Sequence, residues 1–160
     1  AIEVGETLER DGFPNLSAVY NHATTYIKYG EVQMLAGRIE PAGASFERSL
    51  ALLEPRASEF PMRGEVQRLW GVAQYKMIEY HRALAQLPAT ADTLRAAHWR
   101  AAAAWAERCR LTFAGMRERG ILLSSDAGVP EELAQEVRNC LAGAGEPGGR
   151  APGTMDTPAP

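Results

Sequence analysis

The sequence predicts an all-α fold in which antiparallel helical hairpins stack as an α-solenoid closed by a C-terminal capping helix. Three observations carry that expectation. Apolar residues recur every three or four positions almost throughout, and no alternating β-branched run bounded by turns argues for a strand. Turn-forming residues fall between the periodic segments, at Gly37, at "LPATAD" and at Gly120. An aromatic-Gly-x-x-Gln pattern also occurs twice, as Tyr29-Gly30-Glu31-Val32-Gln33 and as Trp70-Gly71-Val72-Ala73-Gln74, an offset of 41. A lone hairpin cannot bury both faces, whereas stacked hairpins can.

Each element has its own justification. Residues 1–10 read as the end of a helix closed by "DGFPN", after which Asn15 can cap a segment from Leu16 to about Ala36. Pro41 suits the first turn of the next helix, where a missing N–H is harmless, and Ala42, Phe46, Leu50 and Leu53 form its inward stripe, with Pro55 limiting its extension. From Arg63 to Leu87 the seam is Val66, Leu69 with Trp70, Ala73, Met77, Tyr80 and Leu84. Thr93 to Arg119 carries Leu94, Ala97, Ala101, Trp105, Cys109, Thr112 and Met116 along one stripe, and the small run from Ala101 to Ala104 allows a neighbouring backbone to approach closely. Pro130 with Glu131 and Glu132 opens a last helix whose single apolar face, Leu133, Val137 and Leu141, is what a capping helix needs. The expected organisation is a helical-repeat domain over residues 1–142, with hairpins over 16–57 and 63–119 and a cap over 130–142. From residue 143 to 160 half the positions are Gly or Pro, a composition that predicts a disordered tail.

Composition limits the function. A chain of 160 residues with 46% hydrophobic and 23% charged content fits one domain or two very small ones. Seventeen Lys and Arg stand interspersed among twenty Asp and Glu, so no basic track recommends nucleic acid. No apolar run approaches the length needed to span a membrane, and the start has neither the basic nor the apolar region of a leader. The chain begins without Met, which reads as a start inside a longer or processed protein. Cys109 and Cys140 sit among apolar neighbours as small buried thiols, and a cytoplasmic setting follows.

The residues from about Ala23 to Pro55 resemble a tetratricopeptide repeat. The matching positions are Tyr29, Gly30, Gly37, Ala42, Phe46, Ser49 and Pro55, with Gln33 departing where the family has a large aromatic. In the second hairpin "FERSL" aligns with "AERCR", placing Ala42, Phe46 and Ser49 on Ala102, Ala106 and Cys109 at an offset of 60, which makes that hairpin 19 residues longer. A narrower stretch from His98 to Cys140, with "AERC", "RERG", "DA" and "PEEL", is similar to the closing helical segment of bacterial eukaryotic-type Ser/Thr protein kinases. No glycine-rich loop, "HRD" or "DFG" is present, so the resemblance implies a non-catalytic part of such a protein.

Candidate chemistry is sparse, and the expectation is a protein that is not an enzyme and holds no cofactor or metal. His81 and His98 can face each other across a hairpin, but two ligands do not make a metal site, and His22 lies elsewhere. Arg108 and Arg110 flank Cys109 in sequence yet point to other faces of a helix. Glu131 and Glu132 are explained by the helix start, Glu47 and Glu54 by a solvated face. The tetratricopeptide resemblance implies instead a concave groove lined by the first helix of each hairpin. If Tyr26, Tyr29 and Gly30 form the core stripe, then Thr24, Ile27, Glu31, Met34 and Leu35 line the groove, joined through the offset of 41 by Arg68, Val72, Tyr75 and Lys76. The partner is then a protein or peptide, with no nucleic acid and no membrane. A structural or oligomerisation bundle, self-associating through the open N-terminal end, stays open beside it, as does a small-ligand-binding or enzymatic helical domain.

Overall fold

Leu16–Leu35 (α1) and Ile39–Glu59 (α2) form the first hairpin of a computed structural model that describes residues 16–145. The turn between them follows from Gly37, whose φ of +72° is open to glycine at no steric cost. There the Gly37 N–H reaches the Met34 carbonyl at 3.0 Å and the Arg38 N–H reaches Gln33 at 2.8 Å, satisfying carbonyls that the helix end leaves bare. The same device ends the second hairpin, Gly64–Gln86 (α3) and Asp92–Glu118 (α4). Gly120 has φ +70°, with Gly120 N–H on Arg117 and Ile121 N–H on Met116, both at 3.0 Å. A 3₁₀ turn, Ser124–Asp126, then leads to Val129–Gly143 (α5).

The described residues contain helices and no strand, and each helix packs on the next in chain order, with a lesser contact between α1 and α3. None of these helices is long and apolar enough to cross a membrane. Helix α3 is apolar on two faces because it packs on α2 of the first hairpin and on α4 of its own. Leu69, Ala73 and Met77 join Ala23, Ile27, Phe46 and Leu53 in one core, while Ile78 joins Ala106, Phe113, Met116, Leu133 and Cys140 in the other.

The two hairpins share an internal contact that the spacing of their glycines begins to explain. A Cβ on Gly30 would lie 2.3 Å from the Phe46 ring, and one on Gly71 would lie 2.5 Å from the Phe113 ring. Neither glycine tolerates a side chain, so each lets a ring sit flush on the opposing backbone. Three residues on, the buried Ser45 hydroxyl donates to Gln33 Oε1 at 2.8 Å, and Thr112 Oγ1 donates to Gln74 Oε1 at 2.9 Å. Each hydroxyl also lies within reach of its own i−4 carbonyl, Pro41 and Arg108. A hydroxyl–phenylalanine pair thus meets a glycine–glutamine pair in both hairpins.

That contact corrects the alignment of the second helices. Ser45 and Phe46 correspond to Thr112 and Phe113, an offset of 67 and not 60, because the equivalent residues are those that cover the glycine. Phe46 therefore has no counterpart in Ala106. Helix α1 is also rotated from the expected stripe: Ile27 is buried, whereas Tyr29 is 54% exposed. On α4 the expected stripe holds from Cys109 onward, but Leu94 is 57% exposed and Ala102, Ala103 and Ala106 supply the buried face instead.

Pro55 lies inside α2 and does not end it. An internal proline removes one helical hydrogen bond at a cost of about 3 kcal/mol in an isolated helix. The helix nevertheless runs on to Glu59, and its end is anchored: Ala57 is buried, and Gln67 Nε2 donates to the carbonyls of Ala57 at 2.6 Å and Phe60 at 3.3 Å. Gly143 likewise belongs to α5 and not to a tail, since a Cβ there would lie 2.7 Å from the Trp99 indole. The expected helix end at residues 1–10, the Asn15 cap and residues 146–160 of the tail lie outside the described residues.

The glycine contact gives a direct test. Gly30→Ala should lower the free energy of unfolding in urea by roughly 1–3 kcal/mol, as overpacking does, although alanine is the better helix former. A second change of Phe46→Leu should recover part of the loss, because it removes the atoms that the new methyl meets.

Candidate interaction cleft

Helices α1, α3 and α5 face a cleft of about 490 Å³. Its apolar surface comes from Val72 and Tyr75 of α3, Phe113 of α4, and Val129 and Leu133 of α5. Position in the fold explains the mixture. Val72 and Tyr75 follow Gly71 on α3, so the contact that seats Phe113 also turns this face toward α5. The half-buried Val72 and the 40% exposed Tyr75 leave apolar area that no neighbouring helix covers.

The charged groups around this surface are tied to one another. The Lys76 side chain is only 16% exposed, its ammonium lies 2.9 Å from Glu31 Oε1 and 2.8 Å from Glu79 Oε2, and Lys28 holds the other Glu31 oxygen at 2.9 Å. At one end the Arg68 guanidinium grips buried Asp126, Nε to Oδ2 at 2.7 Å and the second nitrogen to Oδ1 at 3.4 Å. At the other, Arg82 meets Glu136 Oε1 at 2.8 Å. The Arg68 fork fastens the 3₁₀ turn to α3 and so fixes where α5 begins; such planar two-point contacts are stronger than single ones.

These pairs move proton affinities away from neutrality. The Lys28 hydrogen bond holds the Glu31 carboxyl low against the effect of burial, with Lys76 adding to it, and the Arg68 hydrogen bond does the same for Asp126. Burial acts to lower the Lys76 pKa, but its bonds to Glu79 and Glu31 outweigh that and the net shift is upward. Burial, with Glu79 and Glu136 nearby, raises Tyr75. The arrangement presents fixed charge and apolar surface, which suit binding better than proton transfer.

The sequence-derived groove is brought together in part. Glu31, Arg68, Val72, Tyr75 and Lys76 line the cleft. Ile27 does not: at 3% exposure it is core between α1 and α2. Met34 packs against that same core, and Leu35 is 89% exposed at the end of α1. Thr24 is half-buried outside the cleft, its hydroxyl without a hydrogen-bond partner among the described residues. The α5 wall, with Glu132, Leu133 and Glu136, and the Asp126 turn were absent from the expectation. The signal for them was the i, i+4 pair Glu132 and Glu136 flanking Leu133 on a helix read only as a cap.

Other reactive side chains lie elsewhere or are masked by burial. Burial pushes the Cys109 thiol up to about 12, and its Sγ donates to the Gly71 carbonyl at 3.3 Å. Burial, with Glu136 beside it, raises Cys140 to about 12 as well. A thiol held that high presents almost no thiolate at neutral pH. His81 and His98 do face each other across α3 and α4, Nδ1 to Nδ1 at 3.3 Å with the rings stacked. Among the described residues no three His, Cys, Asp or Glu side chains come together as metal ligands.

Comparison with protein-family models, with curated proteins and with solved structures finds no match for this chain. The half-buried, stacked histidine pair yields a prediction for stability against pH. Burial, and then His98, lower the His81 pKa from the ordinary 6.5 to about 4. Between those values the unfolded chain binds the proton and the folded one does not, so stability falls as pH drops from 6.5 toward 4. The melting temperature should decline through this window, beginning above the carboxylate range, and His81→Leu should flatten the decline between pH 6.5 and 5. An unchanged slope in the variant would assign the acid sensitivity to other groups.

Proposed function

We propose that this chain is a protein-interaction module of the tetratricopeptide-like, helical-hairpin kind, whose cleft takes a segment of a partner protein. The observation that carries this reading is an apolar surface bounded by α1, α3 and α5 whose surrounding charges, Glu132 apart, are already paired. Groups committed to one another can orient a ligand and exclude wrong ones, and the apolar area between them supplies affinity. Alternate helices bound the cleft, which agrees with a stack in which the first helix of each hairpin forms the binding face. The repeated glycine–phenylalanine contact supports the same reading. The likeness of residues 98–140 to the closing segment of bacterial Ser/Thr kinases favours a non-catalytic, cytoplasmic place in a multidomain signalling protein.

A second reading has its own support. Tyr29, Val32 and Leu35 lie on the outer side of α1 at 54%, 61% and 89% exposure. That apolar row would serve a structural or self-associating role at the N-terminal end of the stack.

Interface energy concentrates in a few bulky or aromatic anchors, so Tyr75→Ala and Val72→Asp should each weaken partner binding by about 1–2 kcal/mol or more without loss of helicity. The measurement is capture from the source-cell lysate by the wild type and each variant, followed by titration of the most enriched protein. Leu35→Ala, outside the cleft, serves as control. Partner loss in the cleft variants alone supports the cleft; loss in Leu35→Ala alone transfers the role to the outer row of α1.

A further inference from the structure

The balance of paired and unpaired charge in the cleft specifies the partner's chemistry, on the reading that the cleft is a binding site. Four carboxylates, Glu31, Asp126, Glu132 and Glu136, line it against two cations, Arg68 and Lys76. Both cations are committed. Lys76 sits between two carboxylates, and Arg68 spends its fork on Asp126. A ligand carboxylate would have to break one of those pairs to gain a cation. Glu132 differs from its neighbours: its side chain is exposed, and no ion pair engages it among the described residues. Glu136, one helical turn along, is held by Arg82 on Oε1 and by Asn139 on Oε2, so Glu132 is the carboxylate of this wall left for a ligand, with Leu133 beside it.

We propose that the cleft binds a basic, amphipathic segment of another protein, in which a bulky apolar side chain seats against Val72, Tyr75 and Leu133 and an adjacent Lys or Arg meets Glu132. Charge complementarity selects this occupant. An acidic segment would meet Glu132 while every nearby cation is already paired, and like charges brought together at an interface are strongly disfavoured. A wholly apolar segment would leave Glu132 desolvated without a partner, which costs free energy that a basic side chain offsets.

The test uses two sets of fluorescein-labelled peptides of equal length, each with a Leu, Phe or Trp anchor. The anchor is flanked by Lys or Arg in one set and by Glu or Asp in the other. Anisotropy titrations against the full chain should give binding on the order of tenfold tighter for the basic set, weakening as salt is added. Glu132→Lys should abolish or invert the preference, Glu132→Gln should reduce it, and Val72→Asp should remove binding of both sets; circular dichroism checks that each variant is folded. Equal binding of the two sets, or a preference unchanged by Glu132→Lys, overturns the charge assignment while leaving the cleft as a binding site. Binding of neither set overturns the proposal altogether. If in that case the wild type sediments as a dimer and Val72→Asp as a monomer, the cleft belongs to a second copy of the chain.

Discussion

The close approach of paired helices, glycine backbone under phenylalanine ring, is the constraint on which the rest of this structure depends. Two helices joined by a short turn can pack at several rotations, and apolar stripes alone tolerate more than one. A ring lying 2.3–2.5 Å from where a Cβ would stand fits only where that Cβ is missing, so Gly30 and Gly71 each select one rotation and one register. The neighbouring glutamine–hydroxyl bonds reinforce the choice. A buried amide that lost its partner would cost more than the bond contributes, so slipped registers are penalised twice.

The cleft is a consequence of that register. With Gly71 turned toward Phe113, Val72, Tyr75 and Lys76 line the cleft, Val72 against the first core and Lys76 reaching Glu31 of α1. The Arg68–Asp126 fork then determines where α5 starts, and the cover of Leu133 and Cys140 against α4 determines where it lies. Packing and electrostatics therefore have separate tasks: the cores set the distances between helices, and the ion pairs hold the loop between α4 and α5 against α3. The charges left after this pairing, chiefly Glu132, are what a ligand would meet.

Periodicity and turn chemistry made the helices legible, because Gly37 and Gly120 end helices for a local reason that needs no tertiary information. The offset of 41 between Gly30 and Gly71 was legible too, since both glycines and both glutamines are present in the chain. The companion offset was not. "FERSL" and "AERCR" look alike as strings, but the functional equivalence is of Ser45-Phe46 with Thr112-Phe113, which only the glycine contact reveals. Tyr29 reads as core from its size, yet the 3.6-residue repeat of Val19, Ala23, Ile27 and Gly30 places it outside. Pro55 reads as a stop, and the hydrogen bonds from Gln67 that anchor the last turn beyond it come from another helix. The α5 wall of the cleft was legible only as the spacing of Glu132 and Glu136 around Leu133, because its place opposite α3 depends on a long-range ion pair between residues 68 and 126.

The most direct measurement is a double-mutant cycle on the buried Gln74–Thr112 bond, with Gln74→Leu, Thr112→Val and the double variant compared in urea denaturation. If this bond acts with Gly71 and Phe113 as the register-setting contact, each single change should be destabilising and the double change should cost less than their sum, with a coupling of about 0.5–1.5 kcal/mol. Strict additivity, with coupling near zero, would contradict the account and leave the two hairpins held by apolar packing alone.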